Sequence, residues 1–334
     1  VALVALSNTA AVSVASAATS LRAQATFPSS LISSVPLARL HFNAPVDASE
    51  LPALTSWPHL SATWQQIGPN DVRAVTTSSL VPDTNYVVDV PLRVSCTTKC
   101  VALQRVAHVE RAAGSELWLE QLLGAQGYLP VSFHSSVGDN SALEPGPGAF
   151  TWRFDSLPTS LRSKWHAGNG GVIVRGALMR FQDVHHLATT GVATAKTWAA
   201  LLRAAAAGEH DPSTYNYVSV SESSPETLVL YVNGKVTFRT TVNTGIAQAP
   251  TATGTYPVYL RFTSTTMSGT NPDGTTYHDS GIPWVSYFNG GDALHGFIRS
   301  YYGEPQSLGC VEMRFSDAKI VWPYTPIGTL VTVH

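Results

Sequence analysis

The chain has 334 residues, of which 44% are hydrophobic and only 13% charged, with a formal net charge of −2. That length accommodates two or three domains, each with its own core. The near-neutral balance leaves no basic footprint and excludes nucleic acid as an expected partner. Residues 1–18 are apolar and small and close on Ala15-Ser16-Ala17, which reads as the remnant of a secretory signal peptide with its cleavage site. Ser7, Asn8 and Thr9 interrupt the run, against a membrane span of about 20 apolar residues; a disordered Ala/Ser tail is the other reading. On the first reading the protein is secreted or cell-wall associated, with oxidising surroundings.

Residues 26–94 read as an all-β module. The apolar runs Leu37 to Phe42, Leu60 to Trp64, Val72 to Val75 and Tyr86 to Val90 are separated by Pro, Asn, Asp and Gly, the spacing of a small β-sandwich. The phrases Asn43-Ala44-Pro45-Val46 and Pro82-Asp83-Thr84-Asn85-Tyr86 resemble bacterial Ig-like domains, which implies a spacer or wall-contact module. Of the three cysteines, Cys96 and Cys100 lie close enough to form a small disulfide loop in an oxidising compartment. Cys310 is then left over for chemistry.

Residues 105–205 read as mostly helical. Leu119, Leu122 and Leu123 recur at helical spacing before Gly127, Val174, Leu178 and Phe181 make a second stripe, and Thr194 caps a third helix carrying Trp198, Leu201 and Leu202. Each stripe is sufficiently explained by core packing. Three phrases resemble a peptidoglycan-binding domain of three short helices: Leu122 to Pro130, Phe181-Gln182, and Thr190-Gly191-Val192 running to Thr197-Trp198. A long insertion, with an exposed loop at Glu144 to Gly148, separates the first two. His185-His186 is no metal site, because adjacent helical residues diverge by about 100°, and no zinc-type spacing occurs elsewhere. Metal catalysis and a cofactor are not expected.

From residue 213 to 334 the pattern is β. Asn233-Gly234 is a two-residue hairpin turn, after which Val236, Phe238 and Val242 are predicted on one face. Asn271-Pro272-Asp273-Gly274 is a loop. Near the end stand His295-Gly296 and Ser307-Leu308-Gly309-Cys310-Val311. A thiol acts as a nucleophile once an imidazole takes its proton, and a Ser/Gly turn aims backbone N–H groups at a developing oxyanion. A buried structural Cys with an unrelated His is the alternative for that pair taken alone.

The wider pattern, Pro283-Trp284 leading to Leu294-His295-Gly296, then Ser307-x-Gly309-Cys310-Val311, Ser316-Asp317-Ala318 and Ile327 to Val333, resembles the L,D-transpeptidases with a YkuD-type catalytic domain. It departs at Leu308, where that family usually has His, and at Glu312, where it usually has Arg. The resemblance implies a multidomain, mainly β chain: an Ig-like sandwich, a small helical peptidoglycan-binding-like domain and a C-terminal β-rich catalytic domain. It implies Cys310 as nucleophile, His295 as base, Gly296 as a backbone contributor, and an oxyanion hole from the amides of Gly309 and Cys310. A flap over the site, carrying the Asn271 to Gly274 loop, is implied by the family's topology. Substrate contacts are expected from Ser307, Leu308, Tyr277, Trp284, Tyr287 and Arg299, although aromatics in a β-rich domain are as readily core and Arg299 as readily a loop side chain. The implied reaction joins peptidoglycan stem peptides in 3→3 cross-links through a thioester. Stem peptides and glycan are the implied partners, carbapenem-type β-lactams the implied acylating inhibitors, and a monomer the implied state. An L,D-carboxypeptidase and a non-catalytic wall-binding protein remain as alternatives. A sortase does not fit, since Arg314 follows Cys310 too closely.

Overall fold

The computed structural model describes residues 10–12, 21, 23–29, 31, 35–78, 80–90, 93–94, 101–102, 106–112, 114–138 and 142–334. Cys96 and Cys100 lie outside them, as does the 1–18 segment apart from the strand Ala10–Val12. The chain divides into two units, Val1–Gly114 with Thr194–Leu202, and Ser115–Ala193 with Arg203–His334.

The first unit is β. Five strands form one sheet around Ala38–Phe42 and Asp71–Thr76, and Val106–Arg111, Asn85–Val90 and Thr55–Trp57 form a second. Alternate residues of both sheets point into one core: Leu40 and Phe42, Val72 and Ala74, Val88 and Val90. A period of two in burial turns one face of these strands into that core.

In the second unit the segment from 115 to 193 is held by caps and buried polar groups as much as by its apolar stripes. Ser115 Oγ accepts the Trp118 N–H at 3.2 Å and starts the helix Glu116–Ala125, which ends just before Gly127 at φ +79°. Glu120, wholly buried, accepts the N–H groups of Gly168 and Gly170 at 2.5 and 2.9 Å. Val174, Leu178 and Phe181 are the buried stripe of the helix Val172–Val184, and Tyr128 meets Phe181 edge-on at 5.3 Å. The segment between these helices is not all loop: Val131–Ser135 pairs with Gly148–Trp152 as a hairpin.

The remainder, from residue 203, is built on nine strands: β1 (Asn216–Ser221), β2 (Thr227–Val232), β3 (Lys235–Thr241), β4 (Gly254–Pro257), β5 (Leu260–Thr270), β6 (Thr276–Asn289), β7 (Asp292–Gly296), β8 (Val311–Met313) and β9 (Leu330–Val333). One sheet has the order β3-β2-β1-β9-β4 with β1 and β9 parallel, and the other β5-β6-β7-β8 with β7 and β8 parallel. Val218, Val220, Leu228 and Leu230 of the first sheet share a core with Phe288, Leu294, Val311 and Met313 of the second. Asn233 and Gly234 both have positive φ, as the two-residue turn requires. The predicted face after that turn is corrected by a bulge. Leu230 pairs with Phe238 but Tyr231 with Val236, so Thr237 is the extra residue and Val236 is turned outward. Val236 is 52% exposed, while Val242 is buried.

Candidate active site

Strand register places the side chains of His295, Cys310 and Glu312. Across the parallel pair β7/β8, Leu294 lies opposite Val311 and His295 opposite Glu312. Alternation sends Leu294, Val311 and Met313 into the core. It leaves His295, Glu312 and, one residue before β8, Cys310 on the other face. There they line a cavity of about 700 Å³. Its far wall is the outer half of the long β5–β6 hairpin, which contributes Met267 and Ser268 from one strand and Tyr277 and Asp279 from the other.

The loop ahead of Cys310 is fixed by hydrogen bonds of its own. Ser307 Oγ accepts the Gly309 N–H at 3.2 Å and donates to the Cys310 carbonyl at 2.6 Å, tying a tight turn. Gly309 has φ +112°, and a Cβ there would lie 2.5 Å from Asp292 Oδ1, so only glycine fits. Behind the turn runs the segment after β3: Ser307 N–H donates to the Thr244 carbonyl, Ile246 N–H to the Ser307 carbonyl, and Asn243 and Glu312 exchange backbone bonds. That segment is in turn held by Glu226, a buried carboxylate accepting both the N–H and the hydroxyl of Thr244 at 2.6 Å. Burial raises the Glu226 pKa against those two bonds.

His295 is 2% exposed. Its Nδ1 lies 3.0 Å from the Gly296 carbonyl. A carbonyl only accepts, so the proton is on Nδ1 and Nε2 is left as an acceptor. Gly296 itself has no room for a side chain, since a Cβ would lie 2.9 Å from Phe315. Burial pushes the His295 pKa down. Cys310 is half-exposed at the cavity floor, with Sγ 3.7 Å from the Gly291 carbonyl. The protein mass beneath it, and then the carboxylates of Asp292 and Glu312, push the thiol up to about 12. Both directions favour the neutral forms, a thiol at Cys310 and an imidazole at His295. Among the described contacts there is no hydrogen bond between Cys310 Sγ and His295.

Residues 215–333 match the family model of YkuD, the L,D-transpeptidase catalytic domain. Among solved structures, the catalytic domain of the E. faecium L,D-transpeptidase is 27% identical, covering 36% of this chain and 96% of that one with a TM-score of 0.33. The L,D-transpeptidase LdtMt1 in complex with imipenem is 11% identical over 98% of this chain and 100% of that one, with a TM-score of 0.33. L,D-transpeptidase 3 from Mycobacterium tuberculosis, solved with a faropenem-derived adduct, is 11% identical over 89% and 90%, also at 0.33. No curated protein sequence matches the chain.

Within the region that matches this family model, Tyr277, Tyr287, Arg299, Ser307 and Leu308 all line the cavity with Cys310 and His295. Four expectations change. Trp284 does not line it; its ring packs against Trp322, with centroids 5.5 Å apart, on the core side of the hairpin. The Gly309 amide donates to Ser307 Oγ at 3.2 Å and so is already occupied inside the turn. The Ser307 hydroxyl is likewise spent inside the turn. Arg299 is not open for a bidentate ligand: Nε and Nη2 close on Glu312 at 2.7 and 2.8 Å, Nη2 also reaches the Gln306 carbonyl, and the guanidinium lies over Phe297.

Two further residues of the domain escaped the sequence reading. Glu226 lies in the first sheet's β1–β2 turn region with no motif around it. Asp292 follows Asn289-Gly290-Gly291, a hairpin-turn signature, and that turn is what delivers its carboxylate beside Gly309. Among the described residues no three His, Cys, Asp or Glu side chains converge as a metal site.

Proposed function

We propose that the chain is a cysteine L,D-transpeptidase acting outside the cytoplasm on peptidoglycan stem peptides and forming 3→3 cross-links. The observation that carries this reading is the register of β7 and β8, which brings Cys310 and His295 to one cavity floor inside the region that matches the catalytic-domain family. Cys310 Sγ attacks the carbonyl carbon of the third stem residue while its proton passes to His295 Nε2. The C–N bond to the terminal D-Ala breaks, the imidazolium returns the proton to the leaving amine, and a thioester remains. An acceptor amine then attacks the thioester carbon, the C–S bond breaks, and a proton returns through His295 to Sγ. The Cys310 N–H faces the developing oxyanion; one such donor is worth about 3 kcal/mol in the transition state. The Gly296 carbonyl keeps Nε2 as the basic nitrogen throughout. Carbapenem-type β-lactams acylate the same thiol in this reading.

The test is incubation with a defined tetrapeptide stem, followed by mass analysis of protein and products. The expected result is a thioester on Cys310 and a cross-linked dimer that has lost one D-Ala. The reading fails if the unaltered protein forms neither, or if Cys310→Ala still forms the adduct.

A further inference from the structure

The charges lining the cavity do not balance. Four charged side chains face it: Asp279, Asp292, Arg299 and Glu312. Arg299 and Glu312 neutralise each other in a two-point ion pair. Asp279 and Asp292 form no ion pair among the described residues, although Asp279 is near enough to Arg299 to act on it electrostatically. The second of these sits against the nucleophile's own turn. Asp292 Oδ2 accepts the Ala252 N–H at 3.1 Å and, more weakly, the Asn289 amide at 3.5 Å, which together fix the carboxylate in place. Among the described residues Oδ1 has no hydrogen-bond donor, and it occupies the space a Cβ on Gly309 would need.

A carboxylate beside a cysteine nucleophile hinders the first half of the reaction, because it opposes any negative charge on sulfur. Its use lies in the second half. Once the thioester has formed, the sulfur carries no charge to oppose, and the group that must enter is a primary amine, which is an ammonium at neutral pH. Resting on the transpeptidase reading above, we infer that Asp292 is the acceptor-recognising residue: Oδ1 receives the ammonium group of an amine-bearing stem peptide and holds it beside the thioester on Cys310. The fixed Oδ2 makes this a pre-set contact, and Asp279 on the hairpin opposite adds a like charge at the mouth that favours a cationic acceptor over an anionic one. The amine sheds one proton before attack, and its second leaves through His295 to Sγ as the C–S bond breaks.

The experiment loads the thioester from a tetrapeptide donor and measures the ratio of amide to hydrolysis product. It does so with an amidated diamino-acid acceptor, which is cationic, and with hydroxylamine, which is uncharged at neutral pH. Taking the ratio within each protein removes any change in acylation rate. For Asp292→Asn, which keeps an oxygen for the Ala252 N–H, the ratio with the cationic acceptor should fall by about tenfold to a hundredfold, the size of one charge-assisted hydrogen bond. The ratio with hydroxylamine should hold within about twofold. Asp279→Asn should lower the cationic ratio by less than about threefold. Equal losses with both nucleophiles, no loss with the cationic one, or an Asp279→Asn loss as large as that of Asp292→Asn would each overturn the assignment. Absence of any thioester in the unaltered protein overturns the transpeptidase reading itself, and this inference with it.

Discussion

Arg299 and Glu312 form a fork, with two N–H groups of the guanidinium on the two carboxylate oxygens at 2.7 and 2.8 Å, across the cavity floor from Cys310. Glu312 is almost wholly buried in β8, and Arg299 comes from the loop after β7. The pair therefore ties that loop to the strand that follows Cys310. The Glu312 departure from the family pattern is answered in the same chain by a cation thirteen positions earlier.

Removing Glu312 alone leaves a partly buried guanidinium unpaired, which is costlier than removing both charges. Because the side chain of Arg299 is 30% exposed, water recovers part of the loss. Glu312→Ala is expected to lose about 2 kcal/mol of stability, and Arg299→Ala with Glu312→Ala less than the sum of the single changes. Denaturant unfolding of the three variants gives the coupling energy. Additive losses would show that the fork contributes nothing beyond its two packed side chains.

The thiol pushed up to about 12 and the histidine pushed down make a definite kinetic statement about the free protein. Thiolate is scarce at neutral pH, so iodoacetamide should alkylate Cys310 slowly. The rate should rise about tenfold per pH unit from 7 to 10 without a plateau. Leu308→His places an imidazole on the cavity wall, and any protonated fraction favours the thiolate, so alkylation of that variant should be faster below pH 7. An early plateau in the unaltered protein would mean a preformed ion pair; identical profiles would mean that position 308 does not tune the nucleophile.

The sequence drew attention to Cys310 and His295, which line one cavity, because both sit in short phrases with glycine neighbours, and glycine marks the positions where backbone comes close. Short apolar runs likewise marked the strands Ala38–Phe42, Ala62–Gly68, Asp71–Thr76 and Asn85–Val90. What stayed hidden depends on register between distant strands. Trp284 reads as a pocket aromatic from its neighbours, yet it stands at φ +58° and its ring packs on the core side. Arg299 reads as a free cation until β8 is laid beside β7, which brings Glu312 under it. The bulge at Thr237 moved Val236 off its predicted face, and no residue type there announces a bulge. Glu226 carries no local pattern at all, and the turn signature ahead of Asp292 does not tell what its carboxylate meets; those contacts exist only once the 243–246 segment and the 306–310 turn meet.

Gly309 is held at φ +112° with Asp292 Oδ1 in the space of any Cβ. Gly309→Ala must adopt a disfavoured backbone region and push the carboxylate aside, at about 1 to 3 kcal/mol. The strain falls on the residue adjoining the nucleophile, so transfer activity should drop by far more than global stability. Activity per folded molecule, with the folded fraction taken from circular dichroism, checks this. Full activity in the alanine variant would remove the claim that this turn geometry positions Cys310.

Glu226 is the anchor furthest from the chemistry. Its two oxygens accept two donors from Thr244, and Thr244 in turn receives the N–H groups of Gln306 and Ser307. Glu226→Gln keeps shape but exchanges one acceptor for an NH₂ that faces a donor, so one bond is lost and one donor is left unsatisfied, a cost of about 1 to 3 kcal/mol. The pH dependence has an unusual sign for a carboxylate. Burial raises its folded pKa above the unfolded one, so the folded state binds the extra proton. The stability associated with that proton is complete below the unfolded pKa and is lost as pH rises through the folded pKa. The difference in stability between the unaltered protein and Glu226→Gln should therefore narrow as pH rises from 4 to 7, a window set by the ordinary carboxylate value and the upward shift. Urea unfolding of both proteins across that range reads it directly. A difference that widens with pH would mean that the Thr244 bonds outweigh burial, and that Glu226 sits there as a stabilised anion.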